Sequence, residues 1–152
     1  MRETIFDLNC LSADKTEEAG KRLAEYILNN VGVPRFVALC GGLGAGKTAF
    51  TRGFCSVTCP TASVKSPSFA IVNEYRGNPD VYHFDVWRIT DEDDLYSTGF
   101  YDYQDRNGII LCEWADNIDY AIPDSYIRVD IDGNGNDPRT IKAQLFEKER
   151  IK

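Results

Sequence analysis

The sequence predicts an α/β fold, and three observations lead there. A short, uninterrupted apolar run at residues 36–40 leads straight into a glycine-rich loop. Helical spacing flanks that unit on both sides. Two pairs of strand-like segments further along are joined by strong turn signals.

Residues 4–8 read as a short strand. Residues 12–30 carry helical spacing, with Leu23, Ala24, Ile27 and Leu28 on one face. Asp14 is placed to cap this helix, with Glu17 three positions on, and Gly32 and Pro34 end it. The continuous apolar character of 36–40 predicts a strand covered on both faces. A second helix is expected to start inside the glycine-rich loop and to run to about residue 56.

Segments 68–76 and 81–89 flank Gly77-Asn78-Pro79-Asp80, which predicts an antiparallel hairpin. The acidic cluster at 91–94 is suited to open a short helix, where carboxylates meet the positive end of the dipole. Residues 109–112 form another buried-strand candidate, ending at Glu113-Trp114. Segments 126–131 and 140–146 flank the polar stretch 132–138 and predict a second hairpin. With no internal repeat and no long linker, residues 1–152 are expected to form one domain.

Composition narrows the function. At 152 residues the chain is long enough to bury roughly two thirds of its unfolded surface. Its 43% hydrophobic and 27% charged residues exclude disordered and low-complexity classes. Seventeen Lys and Arg against 24 Asp and Glu give a net charge of −7, which disfavours autonomous binding to nucleic acid, since that binding draws on clustered cations. The first thirty residues hold no basic segment followed by an apolar run and a cleavage site, and no apolar run approaches the ~18 residues of a membrane span. The expectation is a soluble cytoplasmic protein.

The five cysteines, Cys10, Cys40, Cys55, Cys59 and Cys112, include no C-x-x-C pair, and the single histidine is His83. Neither structural zinc nor a disulfide framework fits these spacings. Buried thiols in a reducing compartment are expected instead.

Gly41-Gly42-Leu43-Gly44-Ala45-Gly46-Lys47-Thr48 satisfies G-x-x-x-x-G-K-S/T, the phosphate-binding loop known as the P-loop or Walker A pattern. A chain of this length meets that pattern by chance only about once in a few hundred sequences. Its setting, after a buried strand and before a helix, is the one the chemistry needs. Glycines let the loop wrap with its N–H groups inward, and the helix that follows adds its positive dipole end. Lys47 then reaches the β and γ phosphates, and Thr48 offers a hydroxyl to Mg²⁺, a hard cation that prefers oxygen.

Hydrolysis needs a carboxylate at a neighbouring strand end, and two are available. Asp85 closes Val81-Tyr82-His83-Phe84, and Glu113 closes Ile109-Ile110-Leu111-Cys112. Both are assigned to the metal and the attacking water, with their individual roles open. In Val64-Lys65-Ser66-Pro67-Ser68-Phe69, Ser66 or Ser68 could offer a hydroxyl to the metal and Lys65 a charge to the phosphates; a proline-started edge strand explains the same residues. Trp114 is suited either to shield the nucleotide or to sit in the core. His83, within a strand, reads as a hydrogen-bonded structural histidine ahead of a general base.

In this order, these residues resemble the TsaE (YjeE) family, small bacterial ATPases of tRNA threonylcarbamoyladenosine modification. The likeness runs through Gly42 to Thr48, Thr51-Arg52-Gly53-Phe54, Lys65-Ser66-Pro67-Ser68-Phe69, Tyr82-His83-Phe84-Asp85 with Trp87-Arg88, Gly99-Phe100, Asp102-Tyr103 and Glu113-Trp114. It implies a P-loop NTPase-like three-layer fold with a mixed parallel and antiparallel sheet. It also implies ATP or ADP with Mg²⁺ as cofactors, and hydrolysis coupled to a TsaB-TsaD complex that carries the tRNA chemistry. Carried over, Gly41, Gly44, Ala45, Gly46, Lys47, Thr48 and Ala49 line the phosphates. Thr48 and Glu113 approach Mg²⁺, and Asp85 serves hydrolysis. Thr16 and the Pro138-Arg139 corner match positions near the nucleotide, where Trp114 would join them on the shielding reading. Gly42 stands where the family usually has aspartate, and Ser68 where it more often has threonine.

Two other functions share the loop. A small-molecule kinase needs an arginine-bearing lid, and Arg76, Arg88 and Arg106 are scattered. A nucleotide-dependent binding module would deliver its message through shape, with incidental hydrolysis. A GTPase is disfavoured, because no Asn-Lys-x-Asp stretch is present to read guanine.

Overall fold

A computed structural model describes residues 2–41, 46–67, 71–133 and 139–147. The expectations placed on Gly42, Gly44, Ala45, Ser68, Phe69 and Pro138 lie outside the described residues.

Strand β1 (Arg2–Cys10) extends the expected segment at both ends. Helix α1 (Ala13–Asn29) follows, and its cap is Ser12 rather than Asp14. Ser12 has the extended backbone a cap requires, and its hydroxyl accepts from the Lys15 amide at 3.3 Å. Asp14 falls in the first turn, and Glu17 pairs with Arg52 at 2.9 Å instead of reaching back to the cap. The buried stripe of α1 is Thr16, Ala19, Gly20, Leu23, Ala24 and Ile27, a three-four spacing; Leu28, expected on that face, is exposed.

β2 (Phe36–Cys40) lies where the apolar run predicts, and α2 (Lys47–Thr58) follows the glycine-rich turn. β3 (Val72–Tyr75) and β4 (Val81–Asp85) form the first hairpin. β4 is shorter than the 81–89 segment, because Asp85 Oδ1 accepts from the Trp87 amide at 3.0 Å and turns the chain. Val86 and Ile89 are apolar because they enter the core from that turn. Asp91 caps α3 (Glu92–Ser97) by accepting from the Asp94 amide at 2.8 Å, and α4 (Phe100–Gln104) comes next. β5 (Ile109–Glu113), a 3-10 segment (Ala115–Ala121), β6 (Tyr126–Asp132) and β7 (Arg139–Phe146) complete the described elements.

Among the described residues the strands form one seven-stranded sheet in the order β1-β7-β6-β2-β5-β4-β3. The inner strands β6, β2, β5 and β4 are paired in parallel. Antiparallel pairing adds β7 and then β1 on one side and β3 on the other. The expected second hairpin is β6 with β7.

Helices cover both faces, giving three layers. On one face α1 and α2 pack over Val37, Leu39, Ile109, Leu111, Ile127 and Val129. On the other, Leu95, Phe100 and Ile118 pack over Phe36, Ala38, Phe84, Ile110 and Cys112. Full burial of an apolar side chain such as Phe50, Phe54 or Phe84 contributes roughly 1.5–3 kcal/mol. Gly53 lets the two helices meet at backbone distance: a Cβ there would lie 1.8 Å from the Glu17 carbonyl oxygen. The close contact fixes α2, and with it the position of Gly46 and Lys47 at the end of the glycine-rich segment.

Candidate functional site

Parallel pairing brings the carboxyl ends of β2, β4 and β5 to one edge of the sheet, the usual place for a ligand in an α/β protein. β2 ends at Cys40-Gly41, and α2 begins with Lys47. Gly46 precedes it at φ 104°, a left-handed conformation that a side chain would strain. Its Cα also faces the Arg139 guanidinium, which a Cβ would approach to 2.9 Å.

Lys47 is only 7% exposed. Its ammonium donates to the Gly41 carbonyl at 3.0 Å, lies 3.6 Å from Glu113 Oε1, and sits 4.3 Å from the centre of the Trp114 ring. One buried cation is therefore ringed by a loop carbonyl, a carboxylate and an indole face. Glu113 is 5% exposed, and its second oxygen, Oε2, lies 2.5 Å from His83 Nε2.

Asp85 and Glu113 are register partners on adjacent parallel strands. Each lies two residues beyond a side chain of the α1/α2 face or its neighbour, so both project toward the side that carries α2. Asp85 is held by its own turn and by its amide, which donates to Ile71 O at 2.8 Å. Thr48 and Ala49 are half-buried in the first turn of α2. The Thr48 hydroxyl and the Asp85 and Glu113 carboxylates are oxygen donors, the ligand type that a hard ion keeping several waters takes. Among the described residues no cluster of three or more His, Cys, Asp or Glu forms a ready metal site.

Trp114 has φ 61°, ψ 33°. A bulky residue in that region costs on the order of 1–3 kcal/mol and persists where the surroundings hold it. Here the strained turn ends β5 at once and lays the indole against Lys47, with Trp87 packed at 4.4 Å between ring centres. Ile71 is also at positive φ, 68°. Its amide donates to Pro67 O and its carbonyl accepts from Asp85, which ties the segment after α2 to the end of β4.

Thr16 and Arg139, both carried over as residues near a nucleotide, are in contact with each other. Arg139 Nη1 donates to Thr16 Oγ1 at 3.3 Å, and both are buried beside Gly46. Lys65 and Ser66 are exposed; the backbone of Lys65 exchanges hydrogen bonds with the Tyr75 hydroxyl at 3.1 and 3.0 Å. All five cysteines are free thiols, four of them buried. Burial pushes the half-buried Cys40, next to the loop, up to about 11, and it raises Cys112 well above its ordinary value.

The structural reading of His83 fits its full burial, and the partner that the residue pattern did not reveal is Glu113. No local signal marks that pairing, because it depends on β5 lying beside β4. The Trp87-Trp114 pair and the strain at Ile71 had no signature either, since both depend on turns.

These features define a class: an α/β protein with a mixed sheet whose central strand is joined by a glycine-rich sequence to a helix beginning with a buried lysine. Comparison with known proteins is more specific. The family profile described as "Threonylcarbamoyl adenosine biosynthesis protein TsaE" matches residues 10–141. The tRNA threonylcarbamoyladenosine biosynthesis protein TsaE of Haemophilus influenzae is 37% identical over 115 residues, 74% of this chain and 73% of that protein. The Bacillus subtilis protein of the same name is 40% identical over 106 residues, 69% of this chain and 66% of that one. Among solved structures, Bacillus subtilis YdiB superposes with a TM-score of 0.76 at 29% identity, covering 96% of this chain and 88% of that one. The chain belongs to the TsaE family, whose role is in tRNA threonylcarbamoyladenosine biosynthesis.

Proposed function

We propose that the protein is a Mg²⁺-dependent ATPase that serves tRNA threonylcarbamoyladenosine modification as an accessory to a TsaB-TsaD-like complex in the cytoplasm. The observation that carries this reading is the placement of Lys47, a buried ammonium at the first turn of a helix, donating to the carbonyl of Gly41 across the loop. A polyphosphate offers that ammonium stronger acceptors than a carbonyl, and the α2 dipole favours the same charge. Family membership supports the pathway, and free thiols accord with a reducing compartment.

Thr48, Glu113 and Asp85 would hold the magnesium ion, which when bound neutralises charge on the β and γ phosphates. Lys47 would bind the β and γ oxygens, and the positive end of the α2 dipole at Lys47 and Thr48 would favour the same charge. Asp85, fixed by its turn, orients the attacking water. Trp114 covers the lysine and keeps bulk water from it. Arg139 and Thr16 brace the backbone at Gly46 from behind. The net charge of −7 leaves tRNA contact mainly to the partner complex.

Phosphate release by the purified chain, alone and with TsaB and TsaD proteins, tests this reading. Slow release alone and faster release in the mixture are expected, with inorganic phosphate as product. No release under either condition, or transfer to a metabolite hydroxyl, would sink it.

A further inference from the structure

His83 is the one histidine of the chain, and it is completely buried at the centre of β4. Burying an imidazole costs free energy that an apolar residue would not, unless a partner makes use of it. The partner is Glu113, through Nε2 and Oε2 at 2.5 Å. Nδ1 meets no hydrogen-bonding group among the described residues. A ring with its proton on Nε2 satisfies this arrangement: it donates to the carboxylate and leaves only a bare lone pair buried at Nδ1.

The contact has a consequence for Lys47. A carboxylate terminus turns easily about its last torsion, so an untethered Glu113 would present both oxygens to the nearest cation. Instead Glu113 Oε1 stays 3.6 Å from Lys47 Nζ, beyond ordinary hydrogen-bond length, while Nζ gives its short bond to Gly41. The imidazole therefore holds one oxygen back and leaves the other facing Lys47.

We propose that His83 is a positioning residue: it fixes the Glu113 carboxylate so that Oε1 faces the metal and Lys47 remains available to phosphate. The inference rests on the magnesium-nucleotide function proposed above. His83 touches no nucleotide itself, because its ring lies beneath Glu113 with Nε2 already engaged. Its effect is confined to how strongly metal improves nucleotide binding.

Calorimetric titration of ADP, with Mg²⁺ and separately with EDTA, reads that quantity. His83→Phe should diminish the gain in affinity due to Mg²⁺ by about 10- to 100-fold, with binding in EDTA little changed. His83→Gln, whose amide N–H reaches close to the Nε2 position, should recover most of the gain. If Phe, the better match in shape, performs as well as Gln or better, His83 serves packing and the proposal is wrong. If wild type gains nothing from Mg²⁺, the metal-nucleotide reading fails and this inference falls with it. A readout independent of variants is the ¹⁵N spectrum of the single imidazole. A proton on Nε2, with and without Mg²⁺ and ADP, is expected, and a proton on Nδ1 would overturn the assignment.

Discussion

At the scale of single residues, Lys47 was legible from the G-x-x-x-x-G-K-S/T pattern, and Asp85 and Glu113 as acidic residues at the ends of apolar runs. Their mutual contacts were not. Which Glu113 oxygen faces Lys47 depends on β5 lying between β2 and β4, a pairing of segments far apart in sequence. Separate functions predict separate phenotypes. Asp85→Asn and Glu113→Gln should each lower phosphate release about 100-fold or more, as expected for groups acting in the transition state, while ADP affinity in EDTA changes only a few-fold. Equal loss of binding and turnover would assign these carboxylates to the ground state instead. Cys40 offers a test by pH. Its thiol is raised by burial from 9.0 to about 11, so the folded state keeps its proton where the unfolded chain gives it up. That contribution to stability is complete below about pH 9 and disappears as pH rises toward 11. Because the thiolate is the reactive form, iodoacetamide at pH 8 should label Cys40 more slowly in the native protein than in urea. Comparable rates would refute the burial argument.

At the scale of elements, helix α1, strand β2 and both hairpins could be read from periodicity and turn chemistry. The short elements α4 and Ala115–Ala121 could not, since five to seven residues hold too few turns for a pattern. The end of β4 was also misplaced. Val86 and Ile89 look like strand residues, but they are apolar because the turn at Asp85 drives them into the core beneath α3. The α1-α2 contact was invisible as well, since Gly53 reads locally as a mere weakening of the helix. Its close approach gives a firm expectation. Gly53→Ala places a methyl group against backbone and should cost about 2 kcal/mol or more, lowering Tm by roughly 4–8 °C. An unchanged melting curve would mean that the helices pack further apart.

For the whole molecule, the sheet order explains why the site lies where it does. Four parallel strands put Gly41, Asp85 and Glu113 at one edge, and the antiparallel additions lie outside them. Sequence supplied the elements and the loop, while family resemblance supplied the mixed sheet; no local pattern specifies that β6 inserts beside β2. The acidic surface predicts weak tRNA binding by the isolated chain at physiological salt, measurable by filter binding. Tight, strongly salt-dependent binding would contradict it. The central claim, that the turn from Gly41 to Thr48 encloses a polyphosphate with Lys47 as its cation, is tested most directly by calorimetric titration of ATP into wild-type and Lys47→Ala protein. Saturable wild-type binding below millimolar concentrations, weakened about 10- to 100-fold in the variant, is the predicted result. No binding by wild type at millimolar ATP, or equal binding by Lys47→Ala, would contradict it.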